Sequence, residues 1–393
     1  MKTMTSPRPT TTEVVYIGLD NHKSSNSLAW ALEDGQPPHW YGKVGGSMKQ
    51  LERALQSLLG KIGQPREAAR IAYEAGPGGF SVARHLIKAG YEVIVVAPTK
   101  MEKAPGDQIK TDRRDALKLA RHYRAGSLEG IYIPDEKTEA VRDLCRARTD
   151  ASEELRRYRQ QLLAFLLRNG IQYTGRTNWT QAHVRYLRGL QLPDPTQRIV
   201  LEEYILGVEA GVERKTRLEE HMKQVLADWD LRPWVDAFRA LRGIDTVAAM
   251  TLVSELGDLS RFEHPCQLMS WLGLVPTEES SGSRRRQGAI TKAGNTHARW
   301  MLVEVAHHYS RPPKISRALS LRQEGQSRAV IELSWRTQLR LRHRFASLRA
   351  RKLHRNKVVV AVARELSGFL WELHAIVKSQ HPHKQNTRME TAA

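Results

Sequence analysis

The stretch Lys110-Thr111-Asp112-Arg113-Arg114-Asp115-Ala116 decides how the first third of this chain folds. Its two aspartates stand three residues apart, so on a helix their carboxylates share one face and can converge on one cation. Leu117, Leu119, Ala120 and Tyr123 continue in a helical rhythm. Thr111 is placed to cap the helix, and Lys110, Arg113 and Arg114 offset the paired negative charge. A lone Asp-x-x-Asp is usually a solvated helix face. Two further acids upstream, both at strand ends, change that reading.

Val14-Val15-Tyr16-Ile17-Gly18-Leu19-Asp20 is an apolar strand ending in an acid. Leu28 to Leu32 and Trp40 to Val44 give two more strands, with Glu33-Asp34-Gly35 as the turn between them. Ser47 opens a helix carrying Leu51, Leu55, Leu58 and Leu59. Arg70-Ile71-Ala72-Tyr73-Glu74 is a fourth strand, again ending in an acid. Gly76-Pro77-Gly78-Gly79 turns the chain into a helix with Val82, Leu86 and Ile87. Glu92 to Val96 is a fifth strand, and a basic loop leads on to the Asp112 helix. Three antiparallel strands, then alternating helix and strand, then a final acidic helix is the order of a ribonuclease-H-like fold.

In that order Asp20, Glu74, Asp112 and Asp115 would meet. Asp20 or Glu74 alone would read as a turn residue; all four at compatible places read as a metal site. The set is all oxygen, with no Cys or paired His at ligand spacing, so Mg²⁺ is the expected ion. Two such ions, bridged by carboxylates, clamp the attacking and leaving oxygens of a phosphoryl transfer.

The 393 residues allow two or three domains, and 40% hydrophobic content excludes wholesale disorder. The formal charge of +20 implies a polyanionic partner, nucleic acid first and acidic membrane second. From Arg284 onward there are 23 Lys and Arg against 6 Asp and Glu, a net +17, which leaves only +3 for everything before it. The C-terminal part is therefore the expected electrostatic footprint. Two cysteines, Cys145 and Cys266, are too few for a disulfide framework or a thiolate metal site. The N-terminus has no apolar signal region and no run approaches membrane-span length. A cytoplasmic protein without a membrane partner is expected.

Between Lys137 and Asn169, Val141, Leu144, Ala151, Leu155, Tyr158, Leu162 and Phe165 follow a heptad seam interrupted by Arg148. A break from Gly170 to Pro195 precedes a second helical segment with Leu201, Ile205, Val208, Val212, Leu218, Met222, Val225 and Trp229. An intramolecular antiparallel hairpin and coiled-coil oligomerisation both fit this pattern. Phe238 to Ala249 reads as a helix-hairpin-helix with its second helix capped at Thr246, a device that offers backbone N–H groups to phosphate. Ser280-Ser281-Gly282-Ser283 then turns directly into Arg284, Arg285 and Arg286. A hydroxyl beside guanidinium groups could attack the phosphodiester they hold, although serine is commonly flexible filler in such loops. Lys292, Gly294 and Asn295 suit backbone contacts at a helix start, just before Arg299. Beyond Arg311 a basic helical field that includes Arg340 and Arg344 argues for phosphate contacts.

The whole resembles the insertion-sequence transposases with an Asp-Glu-Asp-Asp catalytic set, relatives of the pilin-gene invertases and also described as bridge-RNA-guided recombinases. Ile17-Gly18-Leu19-Asp20, Tyr73-Glu74-Ala75, Lys110 to Ala116, Gly243-Ile244, Phe262, Gly273-Leu274-Val275-Pro276, Ser281-Gly282 and Ile290 to Asn295 carry the likeness, in order along the chain. The resemblance implies an α/β plus α fold: a RuvC-like, ribonuclease-H-type N-terminal domain, a helical coiled-coil connector, and a mainly helical C-terminal transposase domain. The expected boundaries are a disordered N-terminus over 1–12, the RuvC-like domain over 13–132, the connector over 133–235, the transposase domain over 236–345, a basic helix over 346–380 and a tail over 381–393. It further implies a structured noncoding guide RNA that pairs with donor and target DNA. A homo-oligomer, dimer or tetramer, would build composite active sites at the nucleoid. Asp20, Glu74, Asp112 and Asp115 would hold Mg²⁺ in two positions, and Ser281 would form a 5′-phosphoserine link, with Ser280 and Ser283 close enough to compete. Arg284, Arg285, Arg286, Lys292, Asn295, Arg299, Arg340 and Arg344 would bind nucleic acid. Two other readings fit the same charge: a hydrolytic junction resolvase using only the four acids and water, and a non-catalytic RNA- or DNA-binding scaffold.

Overall fold

Alternation of apolar and small residues builds a five-stranded sheet in the order β3-β2-β1-β4-β5, from β1 (Val15–Asn21), β2 (Ser25–Ala31), β3 (His39–Gly45), β4 (Ala69–Glu74) and β5 (Glu92–Val96). The computed structural model describes residues 12–76, 78–97, 111–281 and 284–382, and the chain divides into two units between Pro134 and Asp135. β1 is antiparallel to β2 and parallel to β4, and β4 is parallel to β5. Between the strands run α1 (Met48–Ile62), closed by a Ser47–Gln50 capping box, and α2 (Ser81–Lys88). α3 (Asp112–Arg124) follows, with the Thr111 hydroxyl accepting from the Arg114 amide.

The side-chain period of two sorts the sheet into two faces. Ile17, Leu19, Leu28, Ile71, Tyr73, Val93 and Val95 form one core with Leu51, Leu55, Val82 and Leu86 of α1 and α2. The opposite face carries small residues: Ala29 and Ala31 of β2 pack on Ala116 and Ala120 of α3. Gly18 belongs to this face. A Cβ there would lie 2.1 Å from the Ala116 carbonyl oxygen and 2.6 Å from the Ala120 amide, so only glycine lets helix and strand approach this closely.

The second unit is helical. α4 (Glu136–Arg168) and α6 (Pro195–Ala227) pair over their length, with α5 (Gln181–Gly189) in the connection. Leu162 and Phe165 cluster with Leu201, whereas Val141 and Cys145 cluster with Met222 and Leu226, so the pair is antiparallel. The expected seam is thus used within the chain. Two details differ from expectation. The break from Gly170 to Pro195 contains α5, whose first residues are polar and hide its period; and Val212 points outward, 41% exposed.

α7 (Arg232–Arg239), α8 (Thr246–Leu256), α9 (Pro265–Trp271), α10 (Thr296–Ala306), α11 (Arg317–Gln323), α12 (Arg328–Ala350) and α13 (Arg355–Gln380) complete the unit. α13 is central, burying Val358, Val362, Leu366, Leu370, Leu373 and Val377. The cap of α8 is Asp245, accepting from the Ala248 amide, and not Thr246, which is the first helical residue; a carboxylate is the stronger acceptor at a helix N-terminus. α12 runs unbroken across residues 345 and 346. The serine segment is no simple loop: β6 (Pro276–Ser281) and β7 (Arg284–Ile290) form an antiparallel ribbon, with Ser281 opposite Arg284. The expectations for residues 1–11, Pro77, 98–110 and 383–393, for Gly282 and Ser283, and for the side chains of Ser280, Ser281, Arg284 and Arg285 lie outside the described residues.

Candidate metal centre

Asp20 lies two residues beyond Gly18 on β1, hence on the face that α3 covers. Asp112 lies one turn before Ala116, the residue against Gly18, so the end of the strand faces the start of the helix. A third group joins them. His22 Nε2 is 3.1 Å from Asp20 Oδ2 and 3.5 Å from Asp112 Oδ1. Ligand atoms of Asp20, His22 and Asp112 all lie within 4.8 Å of one another. On the other side of Asp112, Lys43 of the edge strand β3 places its ammonium 2.8 Å from Oδ2.

The charges are uneven. Burial pushes the Asp20 carboxyl above its ordinary pKa; His22 counters part of this, and the negative charges of Asp112 and Asp115 add to it. The hydrogen bond from Lys43 holds the Asp112 carboxyl below the usual range. Ser27 pairs with Asp20 across β1 and β2, and its Oγ is buried without a hydrogen-bond partner. Clustered carboxylates, an imidazole nitrogen, a protein cation already seated against Asp112 and an orphaned hydroxyl beside Asp20 together suit a divalent cation with its water shell.

Of the four expected acids, Asp20 and Asp112 are therefore brought together. Glu74 follows Tyr73, the register partner of Leu19, which sets it at the end of the strand beside Asp20 and on the same face. Its side chain and that of Asp115 are half-buried and stand outside the compact set formed with His22. His22, Lys43 and Ser27 were not singled out by the sequence. The one available signal was the spacing of Asp20 and His22, two residues apart along an extended segment, which puts both on one face.

In the second unit several expected nucleic-acid residues already have protein partners. Asn295 caps α10 through the Ala298 amide, and its Nδ2 donates to Glu255 Oε2 at 2.7 Å. One Arg299 nitrogen donates to the carbonyls of Leu272 and Ala293. Arg340 and Arg344 both pair with Glu365. Arg286 and Lys292 are exposed, Lys292 in the left-handed region at φ 55°.

Glu255 itself, fully buried, receives the Arg146 fork at 2.7 and 3.0 Å and so ties α4 and α8 to the start of α10, just past the serine ribbon. Burial alone would raise its carboxyl, but Arg146, Asn295 and Arg142 hold it below the usual range. Glu255→Ala is expected to destabilise this unit by about 3–5 kcal/mol, the cost of stranding a buried charge, which a melt reads as a shift of roughly 10 °C. Because the folded-state pKa is depressed, the contribution is full above the unfolded carboxylate pKa and is lost as pH falls through the folded one. The gap between wild type and variant should narrow on acidification; a constant gap would mean that the ion pair is not its source.

Residues 17–169 match the DEDD transposase family of the IS110 type, and residues 235–320 match the family described as Transposase IS116/IS110/IS902. The putative transposase y4qE of Sinorhizobium fredii is 41% identical over 360 residues, covering 91% of this chain and 88% of that protein. The transposase for insertion sequence element IS1533 of Leptospira borgpetersenii is 28% identical over 346 residues, covering 86% and 97%. A probable family 20 transposase of Pseudomonas aeruginosa is 27% identical over 247 residues, covering 60% and 70%.

Proposed function

This chain belongs to the IS116/IS110/IS902 family of transposases, enzymes that move DNA, and we propose that it exchanges DNA strands through an acidic metal centre and a serine nucleophile. The observation that carries the reading is the convergence of Asp20, Asp112 and His22 within 4.8 Å. Asp20, Glu74, Asp112 and Asp115 would hold two Mg²⁺ ions, which when bound supply electrostatic stabilisation of the attacking and leaving oxygens. His22 orients the Asp20 and Asp112 carboxylates, and Lys43 balances Asp112 from the opposite side. Ser281 stands at the end of β6, paired with Arg284 and close in sequence to Arg285 and Arg286, whose cationic character suits a bound phosphate. Its Oγ attacks the phosphorus and gives up its proton to a base. The bond from phosphorus to O3′ breaks and O3′ takes up a proton, leaving a free 3′-hydroxyl and a 5′-phosphoserine. Attack by the 3′-hydroxyl of the incoming strand reverses these bond changes and frees the serine, so no external energy source is needed.

By the resemblance of the chain to bridge-RNA-guided recombinases, a structured noncoding RNA selects donor and target DNA, and a dimer or tetramer at the nucleoid brings the acids of one subunit to the serine of another. No helix among the described residues is long and apolar enough to cross a membrane. The test combines protein, Mg²⁺, RNA transcribed from the element's end, and labelled donor and target DNA, and resolves products on denaturing gels. A protein–DNA band that disappears with a chelator or without the RNA is the expected result. Cleaved ends with no such band would replace this reading with the hydrolytic resolvase, and RNA-independent exchange would remove the guide.

A further inference from the structure

α4 and α6 enclose, with the segment before α5, a cavity of about 470 Å³ in the second unit. Arg156, Arg159 and Ser152 line it from α4, Lys215 and Thr216 from α6, and Trp179 from the connection. Three observations there are independent. Among the described residues no carboxylate pairs with Arg156 or Arg159, whereas Lys215 shares Glu219 with Arg148. Arg159 Nε and Ser152 Oγ are buried without hydrogen-bond partners, and burial pulls the Arg159 guanidinium below its ordinary pKa. Trp179 is held at φ 66°, a region a bulky residue rarely adopts; its amide donates to His183 Nδ1 at 3.1 Å, and its ring meets the His183 ring edge-on at 5.2 Å. In that conformation the Trp179 ring lies under the Arg159 guanidinium, 4.9 Å from its centroid.

From this geometry we infer that the cavity is a binding site for one unpaired nucleotide of a single-stranded segment, its base stacked on the Trp179–Arg159 wall and its phosphate met by Arg156 and Lys215. A concave stacking surface excludes duplex, whose bases are already stacked, and an indole with a guanidinium accepts any base face. The site is separate from the metal centre and requires only that the chain bind nucleic acid, so it stands or falls independently of the serine mechanism.

Fluorescence anisotropy of the full chain at fixed salt tests this with three labelled 15-mers: oligo(U) RNA, oligo(dT) DNA and an abasic deoxyribose strand. Trp179→Leu and Arg159→Ala are each expected to weaken at least one base-bearing strand about tenfold, with Trp179→Leu sparing the abasic strand. Trp179→Phe should keep most of the affinity, and Arg157→Ala, at an exposed position on the same helix, should change it less than twofold. Arg159→Lys, which keeps the charge without the planar fork, should weaken binding even if the leucine variant does not fold. Loss confined to oligo(U) assigns the site to RNA, loss confined to oligo(dT) assigns it to DNA, and loss of both to either strand. Wild-type affinity in well-folded Arg159→Ala and Arg159→Lys, or an equal loss for the abasic strand, overturns the proposal.

Discussion

Asp20→Asn is expected to cut strand exchange about a thousandfold while leaving nucleic-acid binding and folding intact. Cations held at such a site supply several kcal/mol of transition-state charge stabilisation, and each 1.36 kcal/mol is a factor of ten in rate. Asparagine keeps the shape and removes the charge that would hold the ion. The folded protein disfavours that charge: burial and the neighbouring Asp112 and Asp115 raise the Asp20 carboxyl. The neutral variant should therefore melt at or above the wild-type temperature, an outcome that separates loss of chemistry from loss of fold. Exchange rates within tenfold of wild type would remove Asp20 from the chemistry.

Ser281→Ala should eliminate the covalent protein–DNA band and lower exchange by on the order of ten-thousandfold or more, as removal of a nucleophile does. Binding of DNA and RNA should be unchanged, because the substitution removes a single oxygen from one residue and leaves the backbone pairing of the ribbon in place. Ser280→Ala, at the preceding position of β6 and paired with Arg285 of β7, is the comparison. If Ser280→Ala or Ser283→Ala loses the band while Ser281→Ala keeps it, the nucleophile is reassigned to that serine. If all three variants still cut DNA and only Asp20→Asn fails, the enzyme is a metal-dependent nuclease. Together the two substitutions divide the mechanism: one removes the cation holder, the other the covalent carrier.

The strand and helix rhythm of residues 14–124 was legible because local periods report which face is buried. A period of two on β1 put Gly18 and Asp20 on one side, and the Thr111 cap fixed where α3 begins, so the meeting of Asp20 with Asp112 followed from sequence and topology. The heptad positions of α4 likewise marked its buried stripe, with Leu155, Leu162 and Phe165 in the core. α5 escaped because nine residues opening on Gln181, Ala182 and His183 present too short and too polar a period.

Which distant charges meet is another matter, since nothing in a local pattern records it. Lys43 reaches Asp112 across 69 positions of the chain, and Arg146 reaches Glu255 across 109. The sequence suggested a free cationic field around Arg340 and Arg344, yet the fold spends both on Glu365. Asn295, at a position that suits a phosphate contact, is held by Glu255 and the Ala298 amide. Sequence by itself determined the elements and their faces, because backbone geometry makes those local properties; the order of the elements led to the expectation that all four acids meet, and Asp20 and Asp112 are the two that lie in one compact set with His22. The tertiary structure alone decided that His22 and Ser27 join the acids, that Lys43 balances them, and that Trp179 and Arg159 wall a cavity, because Coulomb and packing energies depend on separation in space and not along the chain.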